Sequence, residues 1–290
     1  MYLNNVCFLA TDHNISKAYI HALAMEDLLP ARIIYAQIDR DLSRMGRINR
    51  LKKKIKDGIK RLTGKNSSRV SAEYNLMLSA AEKEFRTYTR ANGLYMGDYG
   101  QSMPAILRKM GLKYKSVLVS SINDDKLKAC LLNDVTEPYV IFTGGGILKK
   151  GMFDTGKKFI HVHPGIVPDI KGSDCFLWGA LVRKRIGLSA FFMNMGVDTG
   201  DIIKTAEYAV PGFRLNKAGK EFRHLPHILI NFLDPSYRAD VLLDLFRTKP
   251  DPASWEWSGQ NNSEGKVYYF MHPEVAAKAA EKFLDPECLR

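Results

Sequence analysis

The sequence is short of the features that would settle its class at once. Its only cysteines are Cys7, Cys130, Cys175 and Cys288, with no Cys-x-x-Cys pair among them. That scatter excludes a disulfide-stapled scaffold and a thiolate zinc finger, and reduced thiols in a cytoplasmic protein are the expectation. No apolar run approaches the roughly 20 residues that a membrane-spanning helix requires, so no membrane span is expected. The opening MYLNNVCFLATDHN lacks the basic region and small-residue cleavage site of a secretory signal. The turn after the first apolar run reads TDHNIS, so the Gly-x-Gly-x-x-Gly dinucleotide fingerprint is missing as well. Internal repeats and low-complexity tracts are also lacking.

What is present is an ordinary globular composition, 46% hydrophobic and 26% charged, in a chain of 290 residues. That length can bury one large core, or one domain with a smaller appendage. The net charge of +12 is local. Residues 39–65 hold eleven Lys/Arg against three Asp, or +8, which leaves +4 for everything else. Within that stretch Ile48, Leu51, Ile55, Ile59 and Leu62 recur at spacings of 3, 4, 4 and 3, the pattern of one helix face, with basic residues around the others. Such a helix over 47–62 is either a surface for a phosphate-rich or acidic partner or a solvated insertion.

Apolar runs and helical spacings alternate along most of the chain. VCFLA, ARIIYAQI, SVLVSSI, PYVIFTGGGIL, KFIHVHPGIVP, LSAFFMNMG and DTGDIIKTAEYAV read as strands. ISKAYIHALAMEDLL, residues 71–91, MPAILRKMGL, DDKLKACLLND and DCFLWGALVRK read as helices. The expected fold class is α/β: a mostly parallel, Rossmann-like twisted sheet with helices on both faces. At Pro211 the rhythm changes. Residues 212–290 read as a mainly helical extension to a first domain over 1–211, which carries the basic insertion at about 39–68.

Three groups carry chemical interest: His161 and His163, Asp198 in GVDTGDII, and the run Gly144, Gly145, Gly146. Residues two apart on a strand share a face, so the two imidazoles emerge side by side. They could be metal ligands, an acid/base pair or a structural coincidence. With Asp198 they have the chemistry of a two-histidine, one-carboxylate metal site. Each group lies at the C-terminal end of an expected strand, the edge where open α/β sheets bind ligands.

Together these groups resemble a known family. From Pro138 to Pro211 the sequence resembles the catalytic core of the folate-dependent formyltransferases, which act on methionyl-tRNA, glycinamide ribonucleotide and sugar nucleotides. The family pattern Asn-x-His-Pro-Ser-Leu-Leu-Pro, a basic-Gly-small turn and a Leu-Asp-x-Gly-x-Ile signature corresponds to 161-HVHPGIVP-168, 171-KGSD-174 and 197-VDTGDII-203. The separation of 35 residues from His163 to Asp198 is that of the family. The likeness covers about 75 residues closely and the N-terminal half only in its strand-helix rhythm.

The resemblance implies transfer of a formyl group from 10-formyltetrahydrofolate, as co-substrate, to a primary amine. His163 would be the acid/base at the developing oxyanion and Asp198 its partner. Gly144, Gly145, Gly146, Ile147, Leu148 and Val197 would meet the pterin. Asp12, His13, Asp169, Lys171 and Asp174 would be acceptor contacts, whereas Trp178 and His272 read as structural. No metal is called for. His161 stands where the family has asparagine, which admits three readings: a histidine oxyanion donor in an intact formyltransferase, altered one-carbon chemistry, or lost catalysis. The helical tail does not read as the β-barrel of the methionyl-tRNA enzymes, which argues against a nucleic-acid acceptor. A small-molecule amine, such as a nucleotide-linked amino sugar bearing phosphates, is the expected partner, and a homodimer is left open. The competing class is a binding protein with a disabled site that works through its basic helix.

Overall fold

The computed structural model describes residues 2–39, 69–261 and 263–285. The basic segment 47–62, and with it nearly all of the expected insertion, lies outside the described residues.

The apolar runs pair into one seven-stranded sheet. Its strands are β1 (Tyr2–Ala10), β2 (Leu29–Ile38), β3 (Lys115–Val119), β4 (Tyr139–Phe142), β5 (Lys158–His163), β7 (Arg185–Phe192) and β8 (Asp201–Ala209), in the spatial order β3-β2-β1-β4-β5-β7-β8. From β3 to β5 every pairing is parallel, while β7 runs antiparallel to both β5 and β8. A separate two-stranded ribbon joins β6 (Ile170–Gly172) to β9 (Lys266–Tyr268).

The continuous apolar character of the central strands follows from burial on both faces. Phe8, Ala10, Ile141, Ile160 and Val162 enter one buried cluster, and the alternate residues Cys7, Leu9, Val140, Phe142 and Phe159 enter the other. Helix Asp125–Asn133 closes the second face with Leu127, Cys130 and Leu131. The first face is covered by helices Asn14–Met25, Arg69–Ala91 and Asp234–Thr248, through side chains such as Tyr19, Phe85 and Phe246. The result is the expected mostly parallel α/β sheet with helices on both sides. Among the described residues no helix is long and apolar enough to cross a membrane.

Two connections place the polar groups. Helix Asp234–Thr248 begins with Pro235 in its first turn, where a missing N–H costs nothing, and packs along helix Asn14–Met25. The turn between β7 and β8 leaves the sheet beside Phe159, near the start of β5, and folds back far enough to bring Asp198 to His163 at the strand's end.

Candidate functional site

β5 ends in His163, and the chain then folds back beneath the ring. Ser189 on the neighbouring strand fastens this return: its hydroxyl donates to the Gly165 carbonyl at 2.8 Å and accepts from the Val167 N–H at 3.1 Å. Gly165 has no room for a side chain, since a Cβ would lie 2.5 Å from the Ile170 carbonyl oxygen and 2.9 Å from His163 Nε2. The returning backbone brings that carbonyl to 3.0 Å from His163 Nε2. A carbonyl oxygen only accepts, so Nε2 carries the proton and Nδ1 of the neutral ring is a lone pair. His163 is 2% exposed. The His161 ring emerges on the same face, and both imidazoles pack against Phe191, at centroid distances of 5.7 and 6.3 Å.

Asp198 faces His163 from the β7–β8 turn, with Oδ2 3.4 Å from His163 Nδ1. The same oxygen accepts from the Gly172 N–H at 2.8 Å. Asp198 has φ +52°. Its carbonyl accepts from Gln260 Nε2 at 3.1 Å, and that amide donates also to the Gly200 carbonyl at 2.6 Å, so the turn is tied to the C-terminal segment. Gly172 is equally constrained: its φ is +105°, and a Cβ there would sit 2.1 Å from the Tyr268 carbonyl oxygen. Gly172→Ala is expected to lower stability by at least about 2 kcal/mol, through the left-handed backbone and the forced separation of β6 from β9. Urea unfolding would read this directly, and an unchanged midpoint would refute it.

Behind the histidines lies a buried ion pair that the sequence reading did not include. Arg238 donates to Asp234 Oδ2 through Nε at 2.8 Å and Nη2 at 2.6 Å, and through Nη1 to the Val162 carbonyl at 3.1 Å, between the two histidines. Asp234 is 1% exposed, and burial raises its carboxyl above the usual range. The guanidinium and, above all, burial push both His161 and His163 down to about 3. Burial, aided by Arg238 and Lys17, takes His13 down to about 4.

These histidines make acid a destabilising agent. Below the ordinary imidazole value of 6.5, the unfolded chain takes up protons that the folded chain refuses until about pH 3 to 4. Stability is therefore fully present above pH 6.5 and is lost as the pH falls below it. By pH 5 the loss is expected to be on the order of 2 kcal/mol for each of these imidazoles. Urea midpoints measured between pH 7.5 and 5 test this, and a flat profile contradicts it.

The third group, Gly144 to Gly146, forms the opposite wall. A Cβ on Gly144 would lie 2.9 Å from the Phe142 ring, and Gly146 has φ +99°. Asn123 clamps the loop, donating through Nδ2 to the Ile147 carbonyl at 2.9 Å and accepting the Lys149 N–H at 2.7 Å. Between this wall and the histidines lies a cavity of about 390 Å³. His161, His163 and Asp198 line it, as do the three glycines, Ile147, Leu148 and Val197. Arg238, Asp234, Phe191 and the exposed Phe270 line it too, none of which the sequence reading had placed there.

The expected acceptor contacts divide. His13 and Asp174 line the cavity, though each also has a structural task. His13 Nδ1 caps helix Asn14–Met25 through the Ile15 N–H, and Asp174 accepts the Met271 N–H at 2.9 Å. Asp12, Asp169 and Lys171 do not line the cavity. Asp12 accepts the Met103 N–H at 2.8 Å and pairs with Lys17, Asp169 pairs with Arg183 at 2.6 Å, and Lys171 is buried on β6. Trp178 is half-buried against Tyr268 and donates to the Tyr269 carbonyl, and His272 sits at the start of helix Pro273–Glu281. A signal for the missed ion pair was present: Asp234 and Arg238 are four apart on a helix, in line with the buried Val241, Leu242 and Leu245.

No known family model matches the sequence, and no curated protein matches it. Solved structures do. An N-formyltransferase of Helicobacter canadensis, in complex with folinic acid and dTDP-3-aminofucose, is 11% identical with a TM-score of 0.50, covering 98% of this chain and 82% of that one. The sugar 3N-formyltransferase WlaRD, in the presence of dTDP and 5-N-formyl-THF, is 11% identical with a TM-score of 0.49, covering 98% and 81%. Glycinamide ribonucleotide transformylase 1 of Symbiobacterium toebii is 13% identical with a TM-score of 0.47, covering 86% and 88%. At 11% identity the likeness to the Helicobacter canadensis protein concerns the fold alone.

Proposed function

We propose that the protein transfers a formyl group from 10-formyltetrahydrofolate to the primary amine of a small acceptor, with a nucleotide-linked amino sugar as the favoured class. The observation that carries this reading is the pairing of His163 with Asp198 at the end of β5, across a cavity from a glycine wall. The sequence motif that resembles the formyltransferases names the same residues. The Helicobacter canadensis protein of like fold was captured with one ligand of each class, folinic acid and dTDP-3-aminofucose.

The cavity suits a flat, partly apolar ring. Gly145 has open space around its missing side chain, while Phe142, Leu148, Met193 and Val197 supply apolar surface. When bound, the co-substrate would supply an activated formyl group. His163 would meet the amine proton at Nδ1, with Asp198 holding charge beside that atom. His161, on the same face, would offer its single N–H where negative charge develops. Arg238 is committed to Asp234 and the Val162 carbonyl, so its part is to keep both rings neutral and in place.

The test is a thermal-shift series against tetrahydrofolate derivatives and nucleotide-linked amino sugars, followed by mass spectrometry of the acceptor. A rise in melting temperature with a folate, and a product heavier by one formyl group, are expected. A protein whose melting temperature ignores every folate would overturn the reading.

A further inference from the structure

The donor atoms at the end of β5 are arranged for more than a proton. His163 Nδ1 is a lone pair, because Nε2 is bound to the Ile170 carbonyl, and it faces another lone pair on Asp198 Oδ2 at 3.4 Å. Two acceptors so placed repel unless something positive lies beside both. A ring nitrogen of His161 completes the group, with one atom from each residue lying within 4.8 Å of the other two. His161 Nδ1 is itself buried and has no hydrogen-bond partner among the described residues.

We propose that His161, His163 and Asp198 bind a divalent transition-metal ion, with the open position toward the glycine wall. Ligands at about 2.0–2.1 Å around a tetrahedral ion stand roughly 3.3–3.4 Å from one another. The His163–Asp198 separation of 3.4 Å already has that value, and the His161 donor atom lies within 4.8 Å of both. The supporting shell is also in place. A ligating histidine ordinarily donates its other N–H to a carbonyl, and a ligating carboxylate is itself hydrogen-bonded. His163 donates to the Ile170 carbonyl and Asp198 accepts the Gly172 N–H. Two imidazoles and one carboxylate suit zinc and ferrous iron alike.

An ion and a proton compete for the same lone pair on His163, so the metal-bound form is distinct from the form that would take up the amine proton, and it is tested separately. The histidine in place of the family asparagine is what supplies the third donor. Tag-free protein, stripped with chelator, would be titrated with cobalt(II) and followed by visible absorption, with zinc and ferrous iron as competitors. One ion per chain is expected, with absorption bands of a protein-bound site. His161→Asn and Asp198→Asn should each weaken binding by about tenfold or more, with His272→Asn as an unaffected control. Failure of wild-type protein to take up one equivalent, or equal affinity in all the variants, overturns the proposal. Neither result touches the folate shift that tests the formyl-transfer reading, so the two can fail separately.

Discussion

Arg238→Ala is expected to destabilise the fold by about 3–5 kcal/mol, as the loss of one partner from a buried ion pair does elsewhere. Asp234 would be left 1% exposed with no counter-charge, and the Val162 carbonyl would lose its side-chain donor. Most of the expected loss is the penalty of an uncompensated buried charge, not the strength of the pair. The double variant Arg238→Met with Asp234→Leu separates the two, because it removes both charges and keeps the volume. It should recover most of the stability in urea, while Arg238→Ala alone does not. Arg238 also helps hold His161 and His163 down, so its removal lets both rings protonate at higher pH. The acid-induced loss should therefore level off at a higher pH in the double variant than in the wild type. A single variant that unfolds at the wild-type urea concentration would contradict the argument.

The uneven legibility of this site has a physical basis. β1 and β4 are buried on both sides, so they appear as apolar runs (VCFLA, YVIF), and a helix such as Asn14–Met25 shows its 3.6-residue spacing. The direction of β7 had no such mark, since a run like LSAFF reads the same parallel or antiparallel. His163, Asp198 and the three glycines were visible because each sits at a strand end at a fixed spacing along about 55 residues of chain. Arg238, Asp234 and Gln260 enter the same cavity wall or its support from a distant stretch, and only the packing of that stretch against the sheet brings them there. Asp12, Asp169 and Lys171 are the opposite case, expected as acceptor contacts but not lining the cavity. They are near the site in sequence, but local chemistry claims the carboxylates: a helix N–H for Asp12 and a guanidinium for Asp169.

His163→Ala is expected to lower the proposed formyl transfer by a factor of about 10²–10⁴, the usual contribution of a positioned acid or base. His163 is the group that joins every part of the centre. Its Nε2 is fixed on the Ile170 carbonyl, its ring packs on Phe191, and its Nδ1 faces Asp198. Asp198→Asn should cost activity too, because it replaces a charged oxygen beside Nδ1 with a neutral amide while retaining the shape. Neither change touches the glycine wall or the Asn123 clamp, so the thermal shift with a folate should persist in both. The pair of readouts is decisive in combination. Lost transfer with retained folate binding assigns the chemistry to the His163–Asp198 pair. Transfer within a few-fold of wild type in His163→Ala would place the chemistry elsewhere in the cavity, and would leave His161, the ring standing where the motif has an amide, as the next group to replace.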